Sequence, residues 1–211
     1  MHKVVVLDAD TGNVRSVVRA LEHVGASVEL TAQPELVMNA DGLVVPGVGA
    51  FAAVMNKIRA VRADRMIERR LAGGQAVFGI CVGLQIMFDR GTEFGVHEGL
   101  AQWRGSVDKL DAPVVPHMGW SQVRPGNGSA LFSGIENERF YFVHSYAVQS
   151  DPAVQMADEA EVFAPPIVSY ANHYGDFVAA VENGALCATQ FHPEKSADAG
   201  LHLLENWLKT L

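Results

Sequence analysis

Ala76-Val77-Phe78-Gly79-Ile80-Cys81-Val82-Gly83-Leu84 is the stretch on which the fold turns. Ala76 to Ile80 is an apolar run with the length of a buried strand, and Val82 to Phe88 has a helical pattern. Between them stands Gly79-Ile80-Cys81-Val82-Gly83, which has the form of a nucleophile elbow. A sharp strand-to-helix turn pushes the central side chain out of the sheet, and glycines two before and two after it relieve crowding. At the start of a helix, the positive end of the helix dipole and a basic neighbour favour a Cys81 thiolate. A core cysteine flanked by packing glycines is the competing reading, and five residues alone do not separate the two. Cys187, inside the apolar run Ala185-Leu186-Cys187-Ala188, reads as core.

The same alternation runs upstream. Lys3 to Leu7 is a β-branched run ending at Asp8 and Asp10. Asn13 to Val24 has helical spacing, with Val14, Val17, Val18, Leu21 and Val24 on one side, Asn13 as N-cap and Gly25 as C-cap. Ser27 to Leu30 and Leu43 to Val45 are further strands, the latter ending in Pro46-Gly47-Val48-Gly49. Phe51 to Leu71 is helical in two pieces and stops at Gly73-Gly74. Strand and helix in alternation predict an α/β fold: an open, mostly parallel sheet with helices on both faces. The second half adds short strands at Gly105 to Leu110, Phe140 to Val148, Pro166 to Tyr170, Phe177 to Glu182 and Ala185 to Gln190, a partly antiparallel region. Ala197 to Leu211 reads as a closing helix with Leu201, Leu204, Trp207 and Leu208 inward. With no repeat and no linker, residues 1–211 are expected to form a single domain.

Composition narrows the function. At 49% hydrophobic and 19% charged residues the chain is globular. A net charge of −8 and the lack of a dense Lys/Arg stretch argue against nucleic acid. The spaced Arg59, Arg62, Arg65, Arg69 and Arg70 read as a solvated helix face, with a phosphate site or a docking face as alternatives. No run is long enough for a membrane span and no signal segment opens the chain. Two cysteines give no disulfide framework, so a reducing, cytoplasmic location is expected.

The base candidate is His192, in Phe191-His192-Pro193-Glu194, directly after a strand-like run. Strand ends are where open parallel sheets present catalytic loops. An imidazole there can take the thiol proton and return it to a leaving amine. A carboxylate two residues on can bind the other ring nitrogen and fix the tautomer, and Pro193 holds His192 extended. A solvent-exposed turn is the alternative. His117 and His144 have no carboxylate near in sequence, His173 has only Asp176, and no metal-binding cluster is present, so no metal is expected. Pro46-Gly47-Val48-Gly49 lies at another strand end. The backbone N–H groups of Val48 and Val82 can together hold an oxyanion, or the segment is an ordinary glycine turn.

These residues resemble the class I glutamine amidotransferases, and among them the glutaminase subunits of imidazole glycerol phosphate synthases. Gly79-Ile80-Cys81-Val82-Gly83-Leu84-Gln85 and His192-Pro193-Glu194 carry the general resemblance. Asp10-Thr11-Gly12-Asn13, Pro46-Gly47-Val48-Gly49-Ala50-Phe51, Pro116-His117-Met118-Gly119-Trp120 and Tyr141-Phe142-Val143-His144-Ser145-Tyr146 carry the narrower one, over essentially the whole chain. The resemblance implies a flavodoxin-like sheet and a triad: Cys81 as nucleophile, His192 as general base and acid, Glu194 as its orienter. It implies Val48 and Val82 as oxyanion donors, with a peptide rearrangement near Val48 for full activity. Gly49, Gln85, Glu93 and Ser145 are implied as glutamine-binding residues, with no cofactor. It further implies a separate (β/α)₈-barrel cyclase subunit in a heterodimer, which uses the ammonia to make imidazole glycerol phosphate and aminoimidazole carboxamide ribotide in histidine biosynthesis. Pro116, Trp120, Tyr141 and Lys195 are the implied interface. Where such chains commonly carry Asn after the Gly-Trp pair, this one carries Ser121. Another amidotransferase subunit, a cysteine peptidase on the same sheet, and a binding module without activity are the rival readings.

Overall fold

The computed structural model describes residues 1–12, 14–157 and 164–211. The first half alternates as its patterning requires: β1 (Lys3–Leu7), α1 (Arg15–His23), β2 (Ser27–Thr31), α2 (Pro34–Asn39), β3 (Gly42–Gly47), α3 (Phe51–Ala60), α4 (Ala63–Ala72), β4 (Ala76–Cys81) and α5 (Val82–Gln85). The second half is built mostly of strands: β5 (Phe88–Gly91), β6 (His97–Glu98), β7 (Trp103–Lys109), β8 (His117–Gln122), β9 (Arg139–His144) and β10 (Tyr146–Val148). After the short α6 (Pro152–Gln155) come β11 (Ile167–Asn172), β12 (Asp176–Asn183), β13 (Leu186–Thr189) and the closing α7 (Ala197–Leu208).

Seven strands form the central sheet in the order β11-β12-β13-β4-β3-β1-β2. All neighbours from β13 to β2 pair in parallel, and β11 and β12 extend that edge antiparallel. Every residue of β3 is buried, as expected of a strand covered on both faces. α1 packs against α7, while α2 and α3 pack against α4. Right-handed crossovers on either side of β1 put these two groups on opposite faces of the sheet. α7 lies so close to β3 that a Cβ at Gly42 would sit 2.7 Å from the Trp207 ring. The expected α/β architecture is therefore present, with an antiparallel edge and two small additional sheets. These are β10-β7-β5-β6 and the antiparallel pair β8-β9. Among the described residues no helix is long and apolar enough to cross a membrane.

Several local expectations change. The residue at the N-cap position of α1 is Val14, without a side-chain cap; Asn13 lies outside the described residues. The other end of α1 is closed as expected. Gly25, at φ +91°, donates to Glu22 O and Ala26 to Leu21 O, the paired bonds of a Schellman turn. The helix expected over Val82 to Phe88 is a single turn, because Phe88 already belongs to β5. A one-turn helix contributes little macrodipole to Cys81. The strand expected over Phe140 to Val148 breaks at Ser145, and its halves, β9 and β10, join different sheets. In the arginine series, Arg70 is fully buried rather than solvated. Its guanidinium donates to the carbonyls of Val37, Ala40, Asp41 and Ala76. It thereby satisfies carbonyls at the end of α2 that the helix leaves open.

Candidate active site

Cys81 stands at the C-terminal end of β4 with φ 56° and ψ −109°. L-residues rarely adopt this conformation, and holding one there costs about 1–3 kcal/mol. The glycines around it are required by contact. A Cβ at Gly83 would lie 1.9 Å from Val45 O, and one at Gly79 would lie 2.6 Å from Gly83 O. The elbow thus presses α5 directly onto β3, with Cys81 and Val82 at the wall of a cavity.

β13, parallel to β4, delivers His192 to the same end of the sheet. His192 is extended before Pro193, and Pro193–Lys195 forms a 3₁₀ turn that carries Glu194 back beneath the ring. His192 Nδ1 is 2.8 Å from Glu194 Oε1, with both side chains buried. The turn is braced from β9: His192 N–H donates to Tyr141 O, Tyr141 N–H donates to Ser196 Oγ, and Ser196 Oγ donates to His192 O. His192 and Cys81 line the same cavity. Burial works against an imidazolium here, but the hydrogen bonds to Cys81 and Glu194 and the charges of both groups outweigh it, raising His192 to about 9. Residues 81 and 192, distant in sequence, meet with the carboxylate behind the imidazole.

They open onto a cavity of about 700 Å³, large enough for an amino-acid substrate. Gly49, Val82, Gln85, Glu93, Ser145 and Lys195 all line it. Gln85 is buried, and its Nε2 donates to Tyr146 O at 2.9 Å and to Gln190 Oε1 at 3.0 Å. Glu93 Oε2 accepts the N–H of Phe51 at 3.0 Å, capping α3 at the cavity edge. As the first residue of α5, Val82 has an N–H without an intrahelical acceptor.

The other expected oxyanion donor is turned elsewhere. Val48 N–H donates to Thr11 O at 2.9 Å, and Thr11 Oγ1 donates to Pro46 O at 2.8 Å. The Val48 side chain lies so close over Gly12 that a Cβ there would sit 2.0 Å from Val48 Cγ2. In this conformation Val48 does not serve the oxyanion position. Of the four residues expected at an interface, Pro116 and Trp120 are exposed on or beside β8, Tyr141 lies opposite Trp120 on β9, and Lys195 is exposed at the cavity rim. The Trp120 and Tyr141 rings meet edge-on at 6.1 Å.

Two features escaped the sequence reading. Gln190, fully buried at the end of β13, donates from Nε2 to Cys81 Sγ at 3.7 Å. His117 and His144, set aside for want of a carboxylate, are both buried and bonded to each other at 3.0 Å. Burial lowers His117 to about 4 and His144 to about 3, so both are neutral. A glutamine one residue before a Phe-His-Pro-Glu strand end is the signal that pointed to the first. The second pair had only its antiparallel register to reveal it.

Comparison with known proteins agrees with this geometry. The profile of the family described as glutamine amidotransferase class-I matches residues 5–211. The chain is 55% identical over 211 residues to the imidazole glycerol phosphate synthase subunit HisH of Thermobifida fusca, covering 99% of each. It is 57% identical to the protein of the same name from Streptomyces avermitilis, covering 99% of this chain and 97% of that one. Among solved structures it is similar to a glutamine amidotransferase crystal structure, with a TM-score of 0.71 at 19% identity over 96% of this chain and 97% of the other. The glutaminase domain of Trypanosoma brucei CTPS, with bound acivicin, is similar in fold, with a TM-score of 0.64 at 16% identity over 99% and 94%. The chain belongs to the class-I glutamine amidotransferase family and is a HisH-like, glutamine-hydrolysing enzyme.

Proposed function

We propose that Cys81, His192 and Glu194 carry out that hydrolysis, and that the ammonia is passed to a separate cyclase subunit of histidine biosynthesis. With the proton of the Cys81–His192 pair held on the imidazole, Sγ attacks the side-chain carboxamide carbon of glutamine. The tetrahedral oxyanion faces the N–H of Val82. Collapse breaks the C–N bond, and the imidazolium returns its proton to the leaving ammonia. Water, deprotonated by His192, then attacks the thioester and releases glutamate. The observation that carries this reading is the convergence of Cys81, His192 and Glu194 on one substrate-sized cavity, with Glu194 bound to His192 Nδ1. Gly49, Gln85, Glu93 and Ser145 are the glutamine-binding residues of this reading.

The partner is a (β/α)₈-barrel cyclase docked over Pro116, Trp120, Tyr141 and Lys195 in a cytoplasmic heterodimer. Support comes from the exposed face that Met118 and Trp120 make with Tyr141 and Val143 across the β8–β9 register, since Val143 also lines the catalytic cavity. Ammonia leaving the cavity on that side emerges under the docked subunit. We read residues 1–211 as one amidotransferase domain.

Glutamate release is measured with the cyclase subunit and its ribulosyl-phosphate ligand added in turn. Because Val48 N–H is committed to Thr11 O, the isolated chain is expected to be a poor glutaminase, and partner with ligand to raise its rate by orders of magnitude. Equal rates in all mixtures would overturn the coupling. Cys81→Ala is expected to lower glutamine-dependent turnover by at least about 10⁴-fold while ammonia-dependent synthesis persists. Retained glutaminase activity in that variant would overturn the nucleophile.

A further inference from the structure

A continuous set of hydrogen bonds links β8 to the sulfur of Cys81. His144 Nδ1 is 3.0 Å from Tyr146 O, and a carbonyl only accepts, so Nδ1 carries the proton. Neutral His144 then has a bare Nε2, which receives Nδ1–H of His117 at 3.0 Å. His117 Nε2 is bare in turn and receives the hydroxyl of Ser121 at 2.8 Å. From the other side, the Gln85 amide donates both its hydrogens, one to Tyr146 O and one to Gln190 Oε1. Gln190 Nε2 then donates to Cys81 Sγ. One assignment of donors and acceptors satisfies every contact, and each of its members is fixed by the carbonyl at Tyr146.

The polarity of this network decides what it can do. Donors converge on Tyr146 O from both directions, so no proton passes through it. Its effect is positional. Ser145 and Tyr146 line the cavity at the break between β9 and β10, where the chain passes from one small sheet to the other. The network ties that break to β8 on one side and to the nucleophile on the other.

Building on the assignment of Cys81 as nucleophile, we propose that Gln190 is a further catalytic residue, with His144, His117 and Ser121 as positioning residues acting through Tyr146 and Gln85. With the proton of the Cys81–His192 pair held on the imidazole, negative charge stays on Sγ, and the Gln190 N–H points at it. A buried amide is a suitable donor there, because it stabilises the thiolate without adding a second acid to the site. Its other end is held by Gln85, so it is not free to rotate toward the substrate.

The test reads the thiolate directly. The full-length chain is treated with iodoacetamide at fixed pH, and labelling of residue 81 is followed by mass spectrometry. Burial and the charge of Glu182 push the Cys187 thiol up to about 12, so it does not compete. Gln190→Leu and Gln190→Met are expected to slow labelling about tenfold, the scale of one hydrogen bond to a charged group. In the complex with the cyclase subunit they are expected to lower kcat for glutamine with KM little changed. His117→Phe is expected to slow labelling about threefold, and His117→Asn, whose amide nitrogen takes the place of Nδ1, to restore most of the rate. Folded Gln190 variants labelled at the wild-type rate would overturn the proposal. Should both fail to fold, Ser121→Ala at its half-buried position decides, an unchanged labelling rate overturning it. Wild-type glutaminase activity that survives Cys81→Ala would instead overturn the underlying nucleophile assignment.

Discussion

β3 and β4 run side by side, and Gly47 lies opposite Cys81, yet the two strand ends are finished in opposite ways. At the end of β4 the backbone is held in a rare conformation by close packing, and its side chain shares a cavity with His192. At the end of β3 the glycine-rich turn is exposed, and its N–H is given to a neighbouring loop. Glycine has a different use in each. Gly79 and Gly83 are glycines because nothing larger fits, whereas Gly49, at φ +102° with open space around its Cβ position, keeps a backbone able to turn. In the proposed mechanism the covalent chemistry is built into the rigid strand end, and part of the stabilisation of the charge that chemistry creates is left to the adjustable one.

The first way to break this comparison acts on the rigid side. Glu194→Gln keeps the shape of the triad but removes the charge behind His192. The rate of glutamate release in the active complex is expected to fall about 10²–10⁴-fold, as for carboxylates that orient a catalytic histidine. A change under about threefold would mean that the imidazole is held by the 3₁₀ turn alone.

The second acts through pH, because the histidines around the cavity are perturbed in opposite directions. His117 and His144 lie below their unfolded value of 6.5, so their stabilising effect is present above that pH and is lost as pH falls toward about 4 and about 3. By pH 4.5 this is expected to cost about 2–3 kcal/mol for each. His192 lies above its unfolded value, so its contribution is present below pH 6.5 and is lost as pH rises through about 9. Denaturant unfolding across this range is expected to show both slopes, with the acid slope reduced in His144→Phe. An acid slope unchanged by that variant would remove the pair from the account.

The third acts on the adjustable side. Thr11→Val deletes the hydroxyl that holds Pro46 O and leaves the backbone bond to Val48 in place. The isolated chain is expected to gain glutaminase activity by about 3- to 10-fold, the range of one hydrogen bond. The complex is expected to change little. A loss of activity in the isolated chain would show that Thr11 supports the catalytic conformation rather than the resting one.

The central sheet was legible because its strands are buried on both faces and read as plain apolar runs, Lys3 to Leu7 and Ala76 to Ile80 above all. β8 was not legible, because its alternation is inverted. Met118 and Trp120 face outward while His117 and Ser121 bond each other on the inner side, and His117 bonds His144 on β9. Polar groups buried in pairs leave no hydrophobic period to detect. Arg70 was misread for a related reason: its partners are backbone carbonyls, which no side-chain pattern announces. In the catalytic cavity, residues flanked by glycine or proline could be found, whereas Gln190 required knowledge of which strand ends lie together.

The backbone angles of residue 81 carry one more implication. Glycine would occupy them more readily than cysteine does, so thermodynamic quality control is blind, or even favourable, to the loss of the thiol. With Cys81 as the proposed nucleophile, a lineage carrying that change would express a well-folded, inert protein. Only demand for its product, and no check on folding, keeps sulfur at this position.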